Sequence, residues 1–431
     1  MPVDSCHTDL RQFLSTPAVE FHGAAVVGKG MNLTIHLFRL IFASFIANTC
    51  NAGAIDIAAW RDDIDHFARE LPKRHKDLFL HLDKATFEAD ISRLQNDLPK
   101  LDDSSIGLRL QQLTAKVGDL HTRVVWKGEA RYPLSLAQFG DHMFVTAVAS
   151  EEYRRLLGAK LVGIGGKSAR HAMSAAMTLV SAENMYAVMA LLPSVLVNGE
   201  AVAFLGMSDG PDSADFHFET GDASMAMRLR SNKSISSAAW IQGQAKTPLH
   251  ASHSGEFYWS QYIADSRALY VNYSRCEERK DLPFASFAED VGKAIDQLDL
   301  DRVVIDVRVN SGGNEAVIRP LVSELKRRQI KIFVLIGRRT FSSAFGNALT
   351  MKEQLGAVLV GEPTGQKPNA FGETRSFELP HSGLRVQYST KFWKRFATSD
   401  PDALYPDLTV EIAIAPYMEG RDPVLEAALR Y

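Results

Sequence analysis

Cysteine is scarce. Cys6, Cys50 and Cys276 are the only three in 431 residues, too few and too scattered for a disulfide framework or a zinc cage, and all are expected as free thiols. The thirteen histidines include no H-E-x-x-H pair and no cysteine–histidine cluster, so no dedicated metal site is expected. Neither sign of charge dominates: 48 basic and 51 acidic residues give a formal net charge of -3. Without a strong positive field, nucleic acid is not an expected partner. Internal repeats and low-complexity tracts are missing as well. What is present is ordinary for a packed chain, with 46% hydrophobic and 23% charged residues. The length suggests two or three domains.

The longest apolar run near the start, Leu40 to Ala47, is too short to span a membrane. Followed by the small triplet Ala52-Gly53-Ala54, it suits the apolar stretch and cleavage site of a signal peptide. The run follows Met31 rather than Met1, which predicts a true start at Met31 and a mature chain beginning near Ile55. An exported, periplasmic or extracellular protein with no membrane span in its mature form is therefore expected. Arg39 directly before the run and a thin basic flank favour a buried helix or an anchor instead. N-terminal sequencing of protein from the native host decides between the two.

From Trp60 to about Leu113, apolar residues fall at helical spacing, with Ile64, Phe67, Ala68 and Leu71 at i, i+3, i+4 and i+7. Ser104 and Ser105 are candidate N-caps before "IGLRLQQL". From Tyr132 to about Asn232 the runs become short and alternating ("HMFVTAVA", "LVGIGG"), with helical "ARHAMSAAMTLV" between them. A compact α+β insert of PDZ-like type fits that order. From about Phe257 the pattern is α/β: Val- and Ile-rich runs ("ALYVNYS", "RVVIDVRV", "KIFVLIG", "AVLVGE") alternate with amphipathic segments. Such runs predict a mostly parallel sheet covered on both faces. The expected division is 1–54 as an extension, 55–128 as a helical domain, 129–254 as the insert and 255–431 as the α/β core.

In such a core, ligands meet the loops at the carboxyl ends of the strands. Three loops stand out there: "VRVNSGGN", "RRTFSSAF" and "EPTGQKPN". Gly312 and Gly313 let backbone approach a ligand and turn N–H groups towards it. Ser342 and Ser343 open a helix, where free N–H groups favour a developing oxyanion. Serine is also a preferred N-cap, and Gly-Gly after a strand is commonly just a turn. "AENMYAVMALLP" places Met185, Met189 and Leu192 at helical spacing, as in a core or domain contact. "KFWKRF" reads as a solvated strand or a cleft rim, although its cation–aromatic mix could stack on nucleic acid.

Taken together, "VVIDVRVNSGGN", "RRTFSSAFGNAL" and "AVLVGEPTGQK" resemble the core of the carboxy-terminal processing, or tail-specific, serine peptidases. That superfamily includes the tricorn core protease and the interphotoreceptor retinoid-binding protein, and the tricorn-like branch is the nearer. The likeness spans roughly 257–410 and implies a ClpP/crotonase-like α/β core. The family's "TFSAAE" pattern puts the nucleophile two places after the threonine, at Ser342. The N–H groups of Ser343 and of Gly312 or Gly313 are then the oxyanion donors. On the register that would make Ser343 the nucleophile, Gly346 stands where the family has glutamate.

The resemblance offers two bases. One is Lys367, just after "GEPTG". The other is His121 in "GDLHT", with an acid near a late Pro-Asp, here Asp400 with Asp402 nearby. An unperturbed histidine titrates near neutrality and can both take and return a proton. A lysine serves only when burial lowers its pKa, and Pro368 and Asn369 do not promise a dry pocket. The expected triad is therefore Ser342, His121 and Asp400, with Lys367 as alternative base or substrate contact. No cofactor is needed. The expected function is a serine peptidase acting on peptides or protein C-termini; the alternative is a non-catalytic peptide- or apolar-ligand-binding protein on the same scaffold.

Overall fold

The computed structural model describes residues 56–125, 128–235 and 239–431. The signal-like run, the predicted start at Met31, Cys6 and Cys50 lie outside the described residues. Among the described residues, no helix is long and apolar enough to cross a membrane.

The α/β core is a six-stranded sheet. In spatial order its strands are Leu408–Thr409, Val358–Gly361, Lys331–Ile336, Arg302–Asp306, Ala268–Tyr273 and Tyr258–Ile263. All neighbours pair in parallel except the edge strand Tyr258–Ile263, which runs antiparallel to Ala268–Tyr273. The apolar runs become the central strands because both faces are covered. Val303, Ile305, Val334 and Ile336 point to a core shared with the helices Phe284–Gln297, Arg319–Lys326 and Ser343–Leu355. Their alternates Val304, Phe333 and Leu335 meet Val424, Leu425 and Ala428 of the C-terminal helix Pro423–Arg430 on the other face. The parallel arrangement brings the carboxyl ends of three adjacent strands, and hence the three loops of interest, to one edge of the core.

Residues 132–230 build a second sheet of antiparallel strands in the order Leu134–Phe139, His142–Val148, Lys160–Ile164, Ser213–Thr220 and Ala223–Arg230. The helices Ala169–Met177, Met185–Leu196 and Gly199–Phe204 supply Ala172, Ala176, Leu192, Leu196 and Val202 to its core. Leu192 is buried as expected, but Met185, the first residue of the helix Met185–Leu196, is 53% exposed.

Three helices, Ile57–Arg74, Lys84–Asp97 and Asp103–Ala115, form the N-terminal layer. Ile64, Phe67 and Leu71 share one fully buried stripe. The last helix is capped by Asp102, whose carboxylate accepts the Ser105 N–H at 2.7 Å. The expected serine caps therefore lie inside the helix, and an aspartate side chain holds the capping position instead.

This layer does not close on itself. A hairpin from far along the chain, Asn369–Glu378 with Arg385–Lys394, joins the short strand Arg123–Val125 in a three-stranded sheet. It inserts Phe377, Leu379, Val386 and Tyr388 among the helices' apolar side chains. Buried Asp63 ties the hairpin turn down, accepting the N–H groups of His381 and Ser382 at 2.8 Å each. Replacing Asp63 with Ala orphans both donors and is expected to lower stability by about 2 kcal/mol. Urea unfolding measures it; an unchanged midpoint would show that the turn docks without this carboxylate.

Candidate active site

Ser342 sits between the strand Lys331–Ile336 and the helix Ser343–Leu355 with φ 55° and ψ -124°. A non-glycine residue there is strained, and such strain persists only where its surroundings impose it. The neighbours do so. Thr340 accepts the Gly337 N–H at 3.0 Å and donates to the Val307 carbonyl at 2.9 Å. The Phe341 N–H reaches the Asn310 carbonyl at 3.1 Å. The Ser342 N–H donates to Gln366 Oε1. Gly312 presses against this elbow so closely that a Cβ would lie 2.7 Å from the Ser342 Cβ, so only glycine fits.

The two serines diverge. The Ser343 hydroxyl donates to the Gly313 carbonyl at 2.6 Å and is engaged. Ser342 Oγ points into the cleft and lies 3.3 Å from His121 Nε2. His121 follows the helix Asp103–Ala115 in the turn before Arg123–Val125 and packs on Phe341 with ring centroids 4.7 Å apart. The late hairpin holds that turn, so the two halves of the site come from chain segments 221 residues apart.

Two carboxylates face the other ring nitrogen. His121 Nδ1 is 3.4 Å from Asp119 Oδ1 and 4.0 Å from Glu183 Oε1. Asp119 is fully buried and accepts the His121 N–H at 2.9 Å, the Thr122 hydroxyl at 2.5 Å and the Ser389 hydroxyl at 2.7 Å. His75 Nε2 lies 3.3 Å away. Because the Asp77 N–H donates to His75 Nδ1 at 3.1 Å, Nε2 carries the ring proton and gives it to Asp119. Burial pushes the Asp119 carboxyl up, but the hydrogen bonds of His121 and His75, the charge of His121 and the Ser389 hydroxyl outweigh it and hold the pKa well below the usual range. Glu183 goes the other way. Burial, reinforced by the negative charge of Asp119, raises its pKa well above the usual value, although one oxygen accepts the Lys367 N–H at 3.2 Å. The two carboxyls are thus driven in opposite directions, Asp119 towards its ionised form and Glu183 towards its protonated one.

Asp119, His121 and Glu183 bring ligand atoms within 4.8 Å of one another. Asp119 already accepts three hydrogen bonds there, from the His121 N–H and the Thr122 and Ser389 hydroxyls. Because the folded pKa of Glu183 is raised, folding favours uptake of a proton that the unfolded chain releases above about pH 4. Its stabilising contribution is complete below that pH and is lost as pH rises through the raised folded pKa. Glu183→Gln is accordingly expected to raise Tm relative to the parent by a margin that grows from about pH 4 upward. Thermal unfolding at pH 4 and pH 8 checks this; a lower Tm for the variant at pH 8 would mean that Glu183 is buried as a stabilised anion.

The structure does not bring Asp400 to His121. Asp400 is exposed and pairs with Lys367 Nζ at 2.9 Å, while Asp402 accepts the Tyr405 hydroxyl at 2.5 Å. The segment carrying them runs over the surface, where the cation of the "EPTGQK" loop meets it. Lys367 is thereby turned to Asp400 rather than to Ser342. Among the expected oxyanion donors, the Gly312 N–H is already given to Asn310 Oδ1 at 2.9 Å. The N–H groups of Gly313 and Ser343 have no partner among the described residues, and both residues line the cleft. Cys276 lies behind this loop, buried, with its thiol pushed up to about 11 by burial, and remains protonated.

Sequence reasoning missed Gln366, Glu183 and the place of Asp119 beside His121 Nδ1. The signal for Glu183 was its place as the one acid in "SAENMYAVMALLP", immediately before the capping Asn184, whose side chain accepts the Ala187 N–H at 2.9 Å.

The cleft holds about 690 Å³, walled by Ala187, Leu191, Phe341, Phe371 and Trp393 between polar stretches. Trp393 and Arg395 put the "KFWKRF" run on its rim.

No family model and no curated protein sequence matches the chain. Solved structures do. Mature CPAF aligns with a TM-score of 0.59 and 12% identity over 87% of this chain and 96% of that one. Mature CPAF complexed with lactacystin aligns with a TM-score of 0.60 and 11% identity over 87% and 98%. The photosystem II D1 C-terminal processing protease aligns at 14% identity over 82% and 93%, with a TM-score of 0.38. At such identities the likeness is one of fold, and the fold that this chain adopts is that of mature CPAF.

Proposed function

We propose that the chain is a serine peptidase that hydrolyses peptide bonds of peptides or protein C-termini by acyl transfer. The observation that carries this reading is the approach of Ser342 Oγ to His121 Nε2 at 3.3 Å on a strained elbow. Ionised Asp119 beside Nδ1 favours the tautomer with the proton on Nδ1, which leaves the Nε2 lone pair for the serine hydroxyl. Ser342 Oγ then attacks the peptide carbonyl as Nε2 takes its proton. The carbonyl oxygen becomes an oxyanion within reach of the Gly313 and Ser343 N–H groups at the helix start. Collapse breaks the C–N bond, and the proton on Nε2 goes to the leaving amine. Water, deprotonated by the same nitrogen, releases the acyl group and restores Ser342. Mature CPAF in complex with lactacystin supports the reading at the level of fold.

A fluorophosphonate probe followed by peptide mass spectrometry tests it. The expected result is a single adduct on Ser342 that disappears in His121→Ala. A folded protein with no adduct, or with one elsewhere, would replace this reading by a binding protein on the same scaffold.

A further inference from the structure

The arginines of the cleft are not equally occupied. Arg338 is held by Glu362 at 2.6 Å and by the Gln138 carbonyl at 2.8 Å. Arg395 is held by Glu315 at 3.1 and 2.6 Å. Glu373, an acid of the cleft wall, lies 3.5 Å from Lys391. Arg123 differs from all of these. It begins the strand Arg123–Val125, two residues after His121, and opens into the cleft. Its side chain makes one hydrogen bond, from Nε to Gln387 Oε1 at 2.7 Å, and no ion pair among the described residues. Gln387 is its direct partner across the ladder, so the bond fixes the plane of the guanidinium while both terminal NH2 groups stay unspent. Arg123 is exposed on its strand, so these groups are open to a ligand in the cleft. An oriented cation without a counter-ion among the described residues thus faces the cleft that also holds Ser342.

We propose that Arg123, oriented by Gln387, is the subsite that takes a carboxylate of the substrate. The inference rests on the peptidase reading for its setting and names the substrate class of that cleft: peptides with a carboxylate close to the scissile bond. A planar fork with its two outer groups free matches the two oxygens of a carboxylate, which a lysine at the same place would not. An Asp or Glu side chain and a free C-terminus offer the same pair of oxygens. Arg339 is the natural comparator. It also lines the cleft and is exposed like Arg123, but it has no side-chain bond to orient it.

The test uses the Ser342→Ala protein, so that binding is read without turnover. One labelled peptide is compared in three forms: neutral with an amidated end, the same with one internal Glu, and the neutral sequence with a free C-terminal carboxylate. At least one carboxylate form is expected to bind roughly tenfold tighter than the neutral form, and the form that gains identifies the source. Arg123→Gln is expected to abolish the preference, Arg123→Lys to keep part of it, Gln387→Ala to weaken it and Arg339→Gln to leave it intact. The preference should also shrink as salt rises. Equal binding of all three forms, no binding of any, or a preference that survives Arg123→Gln overturns the proposal. Cleavage of the neutral peptide by the unmutated chain reads the peptidase proposal separately. Preference without cleavage would leave the subsite standing and remove the peptidase; cleavage without preference would do the reverse.

Discussion

Replacing His121 with Ala is expected to lower kcat on a cleaved peptide by about 10⁴- to 10⁶-fold with little change in KM. Among the described residues, His121 Nε2 is the one basic nitrogen recorded within hydrogen-bonding reach of Ser342 Oγ. A serine hydroxyl without a base is a poor nucleophile at neutral pH. Ser342→Ala should lose as much, and the double variant hardly more, because the two groups act in one step. Asp119→Asn belongs in the same series, with an expected loss of about 10⁴-fold if the ionised carboxylate holds the tautomer. Lys367→Ala and Asp400→Ala should each stay within about threefold of the parent, since they pair with each other at the surface. Loss of turnover in the lysine variant alone would transfer the base to Lys367. A collapse in Glu183→Gln that matched Asp119→Asn would instead make Glu183 the orienting acid.

The parts of this architecture that were legible in the sequence are those written in local patterns. Strands such as Arg302–Asp306 and Lys331–Ile336 are apolar on both faces because both faces are buried, and the helices between them carry one apolar stripe each. The elbow at Ser342 was legible through its position between a strand and a helix. What was not legible depends on distant segments meeting. Nothing local in 369–394 says that its hairpin completes the core of helices some 300 residues earlier; the alternating pattern fits any half-buried sheet. The orienting acid was missed for the opposite reason: Asp119 lies two residues before His121 in "GDLHT", but the resemblance pointed to a distant acid. Asp400 sits where the resemblance expects one, but Lys367 captures it at the surface, while Glu183 arrives from the start of the helix Met185–Leu196. The capping error at Asp102 was a local competition between neighbours that all suit the role, and the Gly312 N–H was taken by a side chain two residues away.

Removing the charge of Arg308 should cost more stability than any other single change considered. Its guanidinium contacts Asp306 at 3.0 and 2.6 Å and grips both oxygens of Asp422 at 2.7 Å each. Asp306 also accepts the Tyr270 hydroxyl at 2.7 Å, and His250 lies 3.2 Å from Asp422. Asp422 in turn caps the C-terminal helix through the Leu425 N–H at 3.0 Å. Burial alone would raise both carboxyls, yet the charge of Arg308 holds both below the usual range. Arg308→Ala leaves two like charges buried without a cation, and about 3–5 kcal/mol of destabilisation is expected, a large share of a typical ~5–15 kcal/mol. The sign with pH follows. Groups with depressed folded pKa values stabilise above their unfolded values, near pH 4, and lose that contribution as pH falls through the folded values. The gap between parent and variant should therefore be widest at neutral pH and narrow below about pH 4. Urea unfolding at pH 7 and pH 3.5 measures both ends, and a gap below ~1 kcal/mol at pH 7 would show the cluster to be hydrated. A triple exchange, Asp306→Asn, Arg308→Met and Asp422→Asn, removes the charges together and keeps a capping residue at 422. It should be less damaging than Arg308→Ala alone, because the penalty belongs to the orphaned carboxylates rather than to the missing ion pair.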